Sequence, residues 1–236
     1  PSFNSVDNTV SSDLAFVKGL FYADGSCGIY RYNDQDKASW AINNKDIDLL
    51  NKCKYILNNE YSNFTFKILD TLKSSGVYKL VCTGCKLKDF VKKWRTYFYD
   101  KRKYKIVPQF ILESHVNIRQ SFLDGYYAGD GDKDKNGYYR FDNKGKIGSA
   151  CLYYLATSLG YNVSINIRND KPDMYRMTCT KNKQRKSQSS VKKIVSLGTT
   201  EQYVYDLETE NHHFSAGIGK LIVHNTDSNY IHIAEK

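Results

Sequence analysis

The sequence predicts an α+β fold built from two related halves, followed by a smaller strand-rich region. Three observations lead there. An aromatic-rich helical segment ending in Asp-Gly occurs twice, as LAFVKGLFYADGSCG from Leu14 and as SFLDGYYAGDGDK from Ser121. Each copy is followed by alternating strand-like runs and further amphipathic helices. Past residue 193 the pattern changes to short apolar runs with turn signals at Gly198, Asn211 and Gly217–Gly219.

In the first half, CGIYRY and SWAIN read as strands, and DIDLLNKCKYIL has the apolar spacing of a helix. FTFKIL and GVYKLVC read as a second strand pair around an SSG turn, and KLKDFVKKWRTYFYD as a further helix. In the second half, GYYRFD is a strand, KIGSACLYYLATSLG a helix stopped at Gly160, and VSINIR and MYRMTCT are strands. The order is therefore α-ββ-α-ββ-α, then α-β-α-ββ without the long last helix. KNKQRKSQSSVKK is polar and basic and reads as a linker. The roughly thirty residues after it are too few to close a β core by themselves.

The repeat has a shared small-residue face. Gly19 and Ala23 are four apart, and so are Gly125 and Gly129. Positions four apart share one side of a helix, so these faces let two backbones approach closely. Asp24 and Asp130 then end the two helices, with Gly25 and Gly131 expected as left-handed helix stops. Two carboxylates brought together repel, and a divalent cation offsets the repulsion. Hard oxygen ligands suit Mg²⁺ shared with phosphate oxygens.

Charge agrees with a polyanionic partner. The 236 residues carry a net charge of +10, and a basic chain of this kind suits nucleic acid. The N-terminal PSFNSVDNTVSSD has no apolar signal core, and nothing approaches the ~18 apolar residues of a membrane helix. A cytoplasmic protein with no membrane partner is expected. Six cysteines in such a chain do not make a disulfide framework, and Cys82–Cys85 reads as a strand-to-helix turn rather than a zinc knuckle.

VKGLFYADG (Val17–Gly25) and LDGYYAGDG (Leu123–Gly131) resemble the two motifs of the LAGLIDADG homing endonucleases. That resemblance implies paired, pseudo-symmetric αββαββα units over residues 13–180. It also implies Asp24 and Asp130 as ligands of a catalytic Mg²⁺, and cutting of both strands of double-stranded DNA. Lys18 and Asp124 stand where the family usually has Ala, and Tyr22 and Ala128 where it often has an earlier Asp. The resemblance singles out no lysine, because lysines are everywhere in this chain.

The end of the chain carries other chemistry. An Asn side-chain amide can attack its own carbonyl and break the following peptide bond, with acid-base help from a neighbouring imidazole. Residues Asn225 and His224 have that arrangement, with a hydroxyl nucleophile, Thr226, beyond the bond. The stretch YVYDLETENHHFSAGIGKLIVHN resembles the two C-terminal splicing motifs of inteins. By that resemblance Asn225 cyclises, His224 and His212 assist, Asp206 sets up the early transfers, and Thr226 forms the branch. His213 is a rival to His212. The resemblance further implies the C-terminal part of an all-β HINT splicing domain, over residues 194–225.

Thr226-Asp227-Ser228 and the strand after it resemble the DTDS motif of family B DNA polymerases. Residues 226–236 are accordingly expected to be the start of the downstream host segment. No upstream Cys or Ser junction and no Thr-x-x-His element precede Asp13. A split intein is therefore expected, with residues 1–12 and 181–193 as linkers and trans-splicing with an N-terminal intein fragment. A free-standing LAGLIDADG endonuclease, or a maturase-like nucleic-acid binder without splicing, is the alternative reading.

Overall fold

The computed structural model describes residues 10–133, 138–182, 194–196, 198–199, 207–216 and 222–225. The chain divides into two compact units, Pro1–Asn182 and Lys183–Lys236.

The first unit begins with α1 (Ser12–Asp24), β1 (Gly25–Tyr32), β2 (Gln35–Asn44) and α2 (Ile47–Glu60). β3 (Thr65–Thr71), the single turn α3 (Leu72–Ser75), β4 (Val77–Thr83) and α4 (Leu87–Phe98) complete its first half. The second half holds the single turn α5 (Gln109–Leu112), α6 (Val116–Asp130), β5 (Asp132–Lys133), β6 (Tyr139–Lys144), α7 (Lys146–Ser158), β7 (Asn162–Ile167) and β8 (Met174–Thr180). Each half forms an antiparallel four-stranded sheet, ordered β1-β2-β4-β3 and β5-β6-β8-β7. The two sheets repeat the same order, so the α+β reading and its duplication both hold.

The second half has one strand more than the sequence reading gave it. β5 is two residues of opposite charge, too short to show any alternation. It is recognisable only by its pairing, Asp132 opposite Arg140.

Local sequence explains where the helices start. Ser11 caps α1 by accepting from the Leu14 amide at 3.2 Å, and Asp46 caps α2 by accepting from the amides of Asp48 and Leu49 at 3.0 Å each. α4 buries Phe90, Val91, Trp94 and Phe98 along one stripe. α1 is different. Leu14, Ala15, Val17, Gly19, Leu20, Phe21 and Tyr22 are all buried, because the helix is enclosed by α6 and by its own sheet and helices. Phe21 anchors an aromatic cluster, with ring centres 4.6 Å from Trp94, 4.9 Å from Phe98 and 5.4 Å from Trp40.

Each sheet has one helix-covered face and one open face. Trp40, Ile42, Leu80, Cys82 and Phe66 are buried in the first sheet; Phe141, Asn143, Met177, Cys179 and Val163 in the second. Strand alternation puts their neighbours, among them Lys67, Lys79, Arg140 and Arg176, on the open faces. Cys82 is buried at the end of β4 and Cys85 exposed before α4, both as free thiols. The second unit contains an antiparallel pair, β9 (His213–Ser215) and β10 (Ile222–His224).

Candidate functional site

The halves of the first unit meet along α1 and α6, backbone to backbone. A Cβ placed on Gly19 would lie 2.0 Å from the Phe122 carbonyl oxygen, and one on Gly125 would lie 2.0 Å from that of Phe16. One turn on, a Cβ on Gly129 would lie 2.5 Å from that of Ala23. The small-residue face read from the sequence is this seam.

Asp24 and Asp130 are the last residues of the two seam helices. Gly25 and Gly131 do not stop them in the left-handed region: their φ values are -86° and -71°. The chain passes straight from helix into extended backbone, so no reversal is needed. Glycine is required there by crowding, since a Cβ would lie 2.2 Å from the Phe21 ring at Gly25 and 2.1 Å from the Tyr127 ring at Gly131.

The carboxylates differ in their partners. Asp24 Oδ2 accepts from Asn44 Nδ2 at 2.6 Å, and a Cβ on Gly129 would sit 2.9 Å from the same oxygen. So Asp24 abuts the last turn of α6, one residue before Asp130. Burial pushes the Asp24 carboxyl above its ordinary value, against the pull of the Asn44 bond and of Lys105. Asp130 is open to solvent on one side and has no hydrogen-bond partner among the described residues. Crowding on its other side raises its carboxyl too, with the charge of Asp24 as the second cause.

Against the last turn of α1, beside Asp24, lies a residue that sequence reasoning missed. Lys105 Nζ donates to the carbonyl oxygens of Phe21 at 3.1 Å, Tyr22 at 2.8 Å and Ala23 at 3.0 Å. Its ammonium thus caps the last turn of α1 from the segment linking the two halves. Burial lowers its pKa to about 8, while Asp130 and Asp24 act in the opposite sense. No spacing or motif marks this lysine; only the bridge of Tyr99 with Lys105 brings it to the seam. Tyr22 secures it: the single Tyr22 hydroxyl proton is shared between the Lys105 carbonyl, at 3.2 Å, and Asn143 Oδ1, at 3.0 Å. Asn143 Nδ2 donates in turn to Ser149 Oγ at 3.0 Å, and that hydroxyl to the Gly145 carbonyl at 2.8 Å.

Asp24 and Asp130 suit a hard divalent cation. Both carboxyls are held above their ordinary values, which a cation would reverse, and Asp130 has free oxygens. Among the described residues no cluster of three or more His, Cys, Asp or Glu is placed to hold a metal.

In the second unit, His212, His224 and Asn225 come together. The Asn225 amide donates to the His212 carbonyl at 2.6 Å, and Asn225 Nδ2 to the Leu207 carbonyl at 3.0 Å. The ring centre of His224 is 6.0 Å from that of His212 and 4.7 Å from that of His213. His213 Nδ1 lies 2.5 Å from the Asn211 carbonyl oxygen, an acceptor, so that nitrogen carries the proton. Asp206 and Thr226 lie outside the described residues.

No helix among the described residues is long and apolar enough to cross a membrane. Residues 11–95 match the family model of a LAGLIDADG-like domain. A DNA polymerase of Acanthamoeba polyphaga mimivirus is 52% identical over 239 residues, covering 98% of this chain and 14% of its own length. The replication factor C small subunit of Methanocaldococcus jannaschii is 26% identical over 146 residues, covering 58% of this chain and 8% of its own. The chain therefore spans only a small part of either relative.

Among solved structures, mesophilic variants of the homing endonuclease I-DmoI align with a TM-score of 0.55 and 16% identity, over 72% of this chain and 88% of theirs. I-DmoI in complex with DNA and Mn aligns with the same TM-score at 18% identity, over 72% of this chain and 89% of that one. The chain thus contains a LAGLIDADG-like domain at residues 11–95, set in an α+β fold of the LAGLIDADG homing endonuclease type.

Proposed function

We propose that the first unit is a metal-dependent endonuclease that cuts both strands of double-stranded DNA. The observation that carries this reading is the pair Asp24 and Asp130, fixed side by side at the ends of two helices in main-chain contact. A divalent cation held there, Mg²⁺ by preference, would supply Lewis-acid polarisation of a phosphodiester oxygen. The protein's own contribution is placement. The glycine seam fixes the helix ends, Asn44 orients the Asp24 carboxylate, and Lys105 holds the last turn of α1 and offsets the charge of both acids. The Lys105 ammonium spends its three protons on carbonyls, so it acts as a fixed cation and positioning residue, not as a free acid. The open sheet faces bring lysines and arginines to the DNA backbone and bases. I-DmoI, of the same fold, is described in complex with DNA and Mn, which supports the reading.

The test is cleavage of a randomised duplex library with Mg²⁺ and with EDTA. Site-specific double-strand cuts that need the metal and vanish in Asp24→Asn and Asp130→Asn are expected. Cutting that survives both substitutions together would sink the reading.

We also propose that the second unit is the C-terminal splicing segment of a split intein, placed in a DNA polymerase host. The convergence of His212, His224 and Asn225 supports it, and so does the likeness to a protein named as a DNA polymerase. Asn225 would cyclise with help from His224 and His212, with Asp206 and Thr226 serving the earlier transfers. An N-terminal intein fragment would be the partner. Intact-mass measurement after mixing with such fragments is the test: loss of residues 226–236 to a ligated product is expected, and none from Asn225→Ala. Failure of every fragment would favour a free-standing endonuclease or a maturase-like binder.

A further inference from the structure

We propose that Arg176, braced by Asp142, is a guanine-reading residue on the open face of the second sheet. The inference rests on the endonuclease reading above.

Position comes first. Met177 and Cys179 are buried beneath the second sheet, so Arg176 projects from its open face. On that face it stands between Asp142 on β6 and Asn166 on β7, both in direct register. Asp142 Oδ1 accepts from Arg176 Nε at 2.7 Å and Oδ2 from Nη2 at 2.9 Å, a two-point fork. Oδ2 accepts also from Arg168 Nη1 at 2.6 Å.

What remains free decides the role. The fork consumes one edge of the Arg176 guanidinium. The other edge, Nη1 and the outer N–H of Nη2, has no partner among the described residues. Two parallel donors on a plane match the O6 and N7 acceptors of guanine in the major groove. The carboxylate does two further things. It fixes the plane of a side chain that is 39% exposed and would otherwise rotate, and it offsets part of the charge that would draw the guanidinium to phosphate.

Neighbouring basic residues lack this combination. Arg168 has a third bond, from Nη1 to Asp142, besides Nε on Asp170 Oδ1 at 2.9 Å and Nη2 on Asp170 Oδ2, so three of its five N–H donors are used and Nη1 is already committed. Lys67 and Lys79 on the first sheet are flexible point charges, suited to phosphates. Asp142 itself is held near a pKa of about 2 by the two arginines, so the brace persists at every working pH.

The experiment is selection of bound duplexes from a randomised pool by the full chain in EDTA, which separates recognition from cutting. Wild type should enrich a site containing an invariant G. Arg176→Ala and Asp142→Ala should both lose that G, by roughly tenfold to a hundredfold in preference, and keep the other positions. Arg176→Lys should retain overall affinity and lose the G, which separates this role from misfolding. Retention of the full motif by Arg176→Ala would overturn the proposal, as would uniform weakening with the motif intact, the mark of a phosphate contact. A wild-type chain that enriches nothing would overturn the site-specific endonuclease reading, and this proposal with it.

Discussion

Lys105 and Tyr22 are bonded to each other twice, in opposite directions. The Lys105 ammonium donates to the Tyr22 carbonyl at 2.8 Å, and the Tyr22 hydroxyl donates to the Lys105 carbonyl at 3.2 Å. This reciprocal pair ties the segment between the halves to the last turn of α1, beside Asp24. Tyr22→Phe keeps the ring packing and removes only the hydroxyl, leaving the buried Asn143 short of a donor. A loss of ~1–3 kcal/mol in stability is expected, with cleavage slowed more than DNA binding. Urea unfolding and a comparison of kcat with KM check it; equal loss in both constants would argue for a purely structural role.

The paired acids should trade stability for function. Their folded-state pKa values are raised, so each helps stability below its ordinary value of 3.8 and loses that contribution as pH rises through the folded value. Burial disfavours the charged form of both. Asp24→Asn should therefore stabilise the protein by ~0.5–1 kcal/mol, and Asp130→Asn by less because water screens it. Cutting should fall by at least ~100-fold in either variant. Thermal melts with and without Mg²⁺ give an independent check. The cation should raise Tm for wild type and leave the double variant unmoved.

The seam glycines tolerate no side chain. Gly19→Ala or Gly125→Ala puts a methyl group 2.0 Å from a carbonyl oxygen that belongs to backbone and cannot rotate away. Each should cost ~2–4 kcal/mol and separate the helix ends. Gly28→Ala meets no atom within 4 Å and should cost well under ~1 kcal/mol, which provides the control. Chemical denaturation of the three variants decides it.

Lys18 is a separate case. It is buried over the Trp94 ring, 4.4 Å from its centre, and makes no hydrogen bond or ion pair among the described residues. Burial lowers its pKa to about 7, helped by Lys93 and opposed by Glu60. The unfolded chain then binds more protons above pH 7, so stability rises with pH. Buried thiols such as Cys53 and Cys82, raised to about 12 from 9.0, reverse the trend above pH 9. Between pH 7 and 9 the rise should be ~1–2 kcal/mol. Lys18→Met should reduce it, leaving the part that Lys105 contributes above its pKa of about 8, and raise stability at pH 7. A variant less stable than wild type at pH 7 would show that the cation–π contact outweighs desolvation.

Periodicity and repetition made most of the first unit legible. The two Asp-Gly helices, their small faces and the strand pairs around Trp40 and Leu80 all follow from spacing. Three features did not. β5 was too short to carry a pattern. The backbone at Gly25 and Gly131 is extended, because a steric need and a conformational one leave the same glycine in the sequence. Lys105 reaches the seam only through a tertiary bridge, and in a lysine-rich chain its identity carries no information. In the second unit the sequence placed His212, His224 and Asn225 in one constellation; the rings of His212 and His224 lie 6.0 Å apart, while Asn225 meets His212 through the main chain and its side-chain amide donates to the Leu207 carbonyl.

The contact between Gly19 and Gly125 has a consequence for how this molecule can change. A distance set by side chains drifts whenever a core residue is exchanged. A distance set by main chain against main chain behaves like a machinist's gauge, because nothing remains to trim or lengthen. The spacing of Asp24 from Asp130 is therefore insulated from substitutions elsewhere. The open faces of the sheets, which share no such contact, are free to vary around a fixed pair of acids.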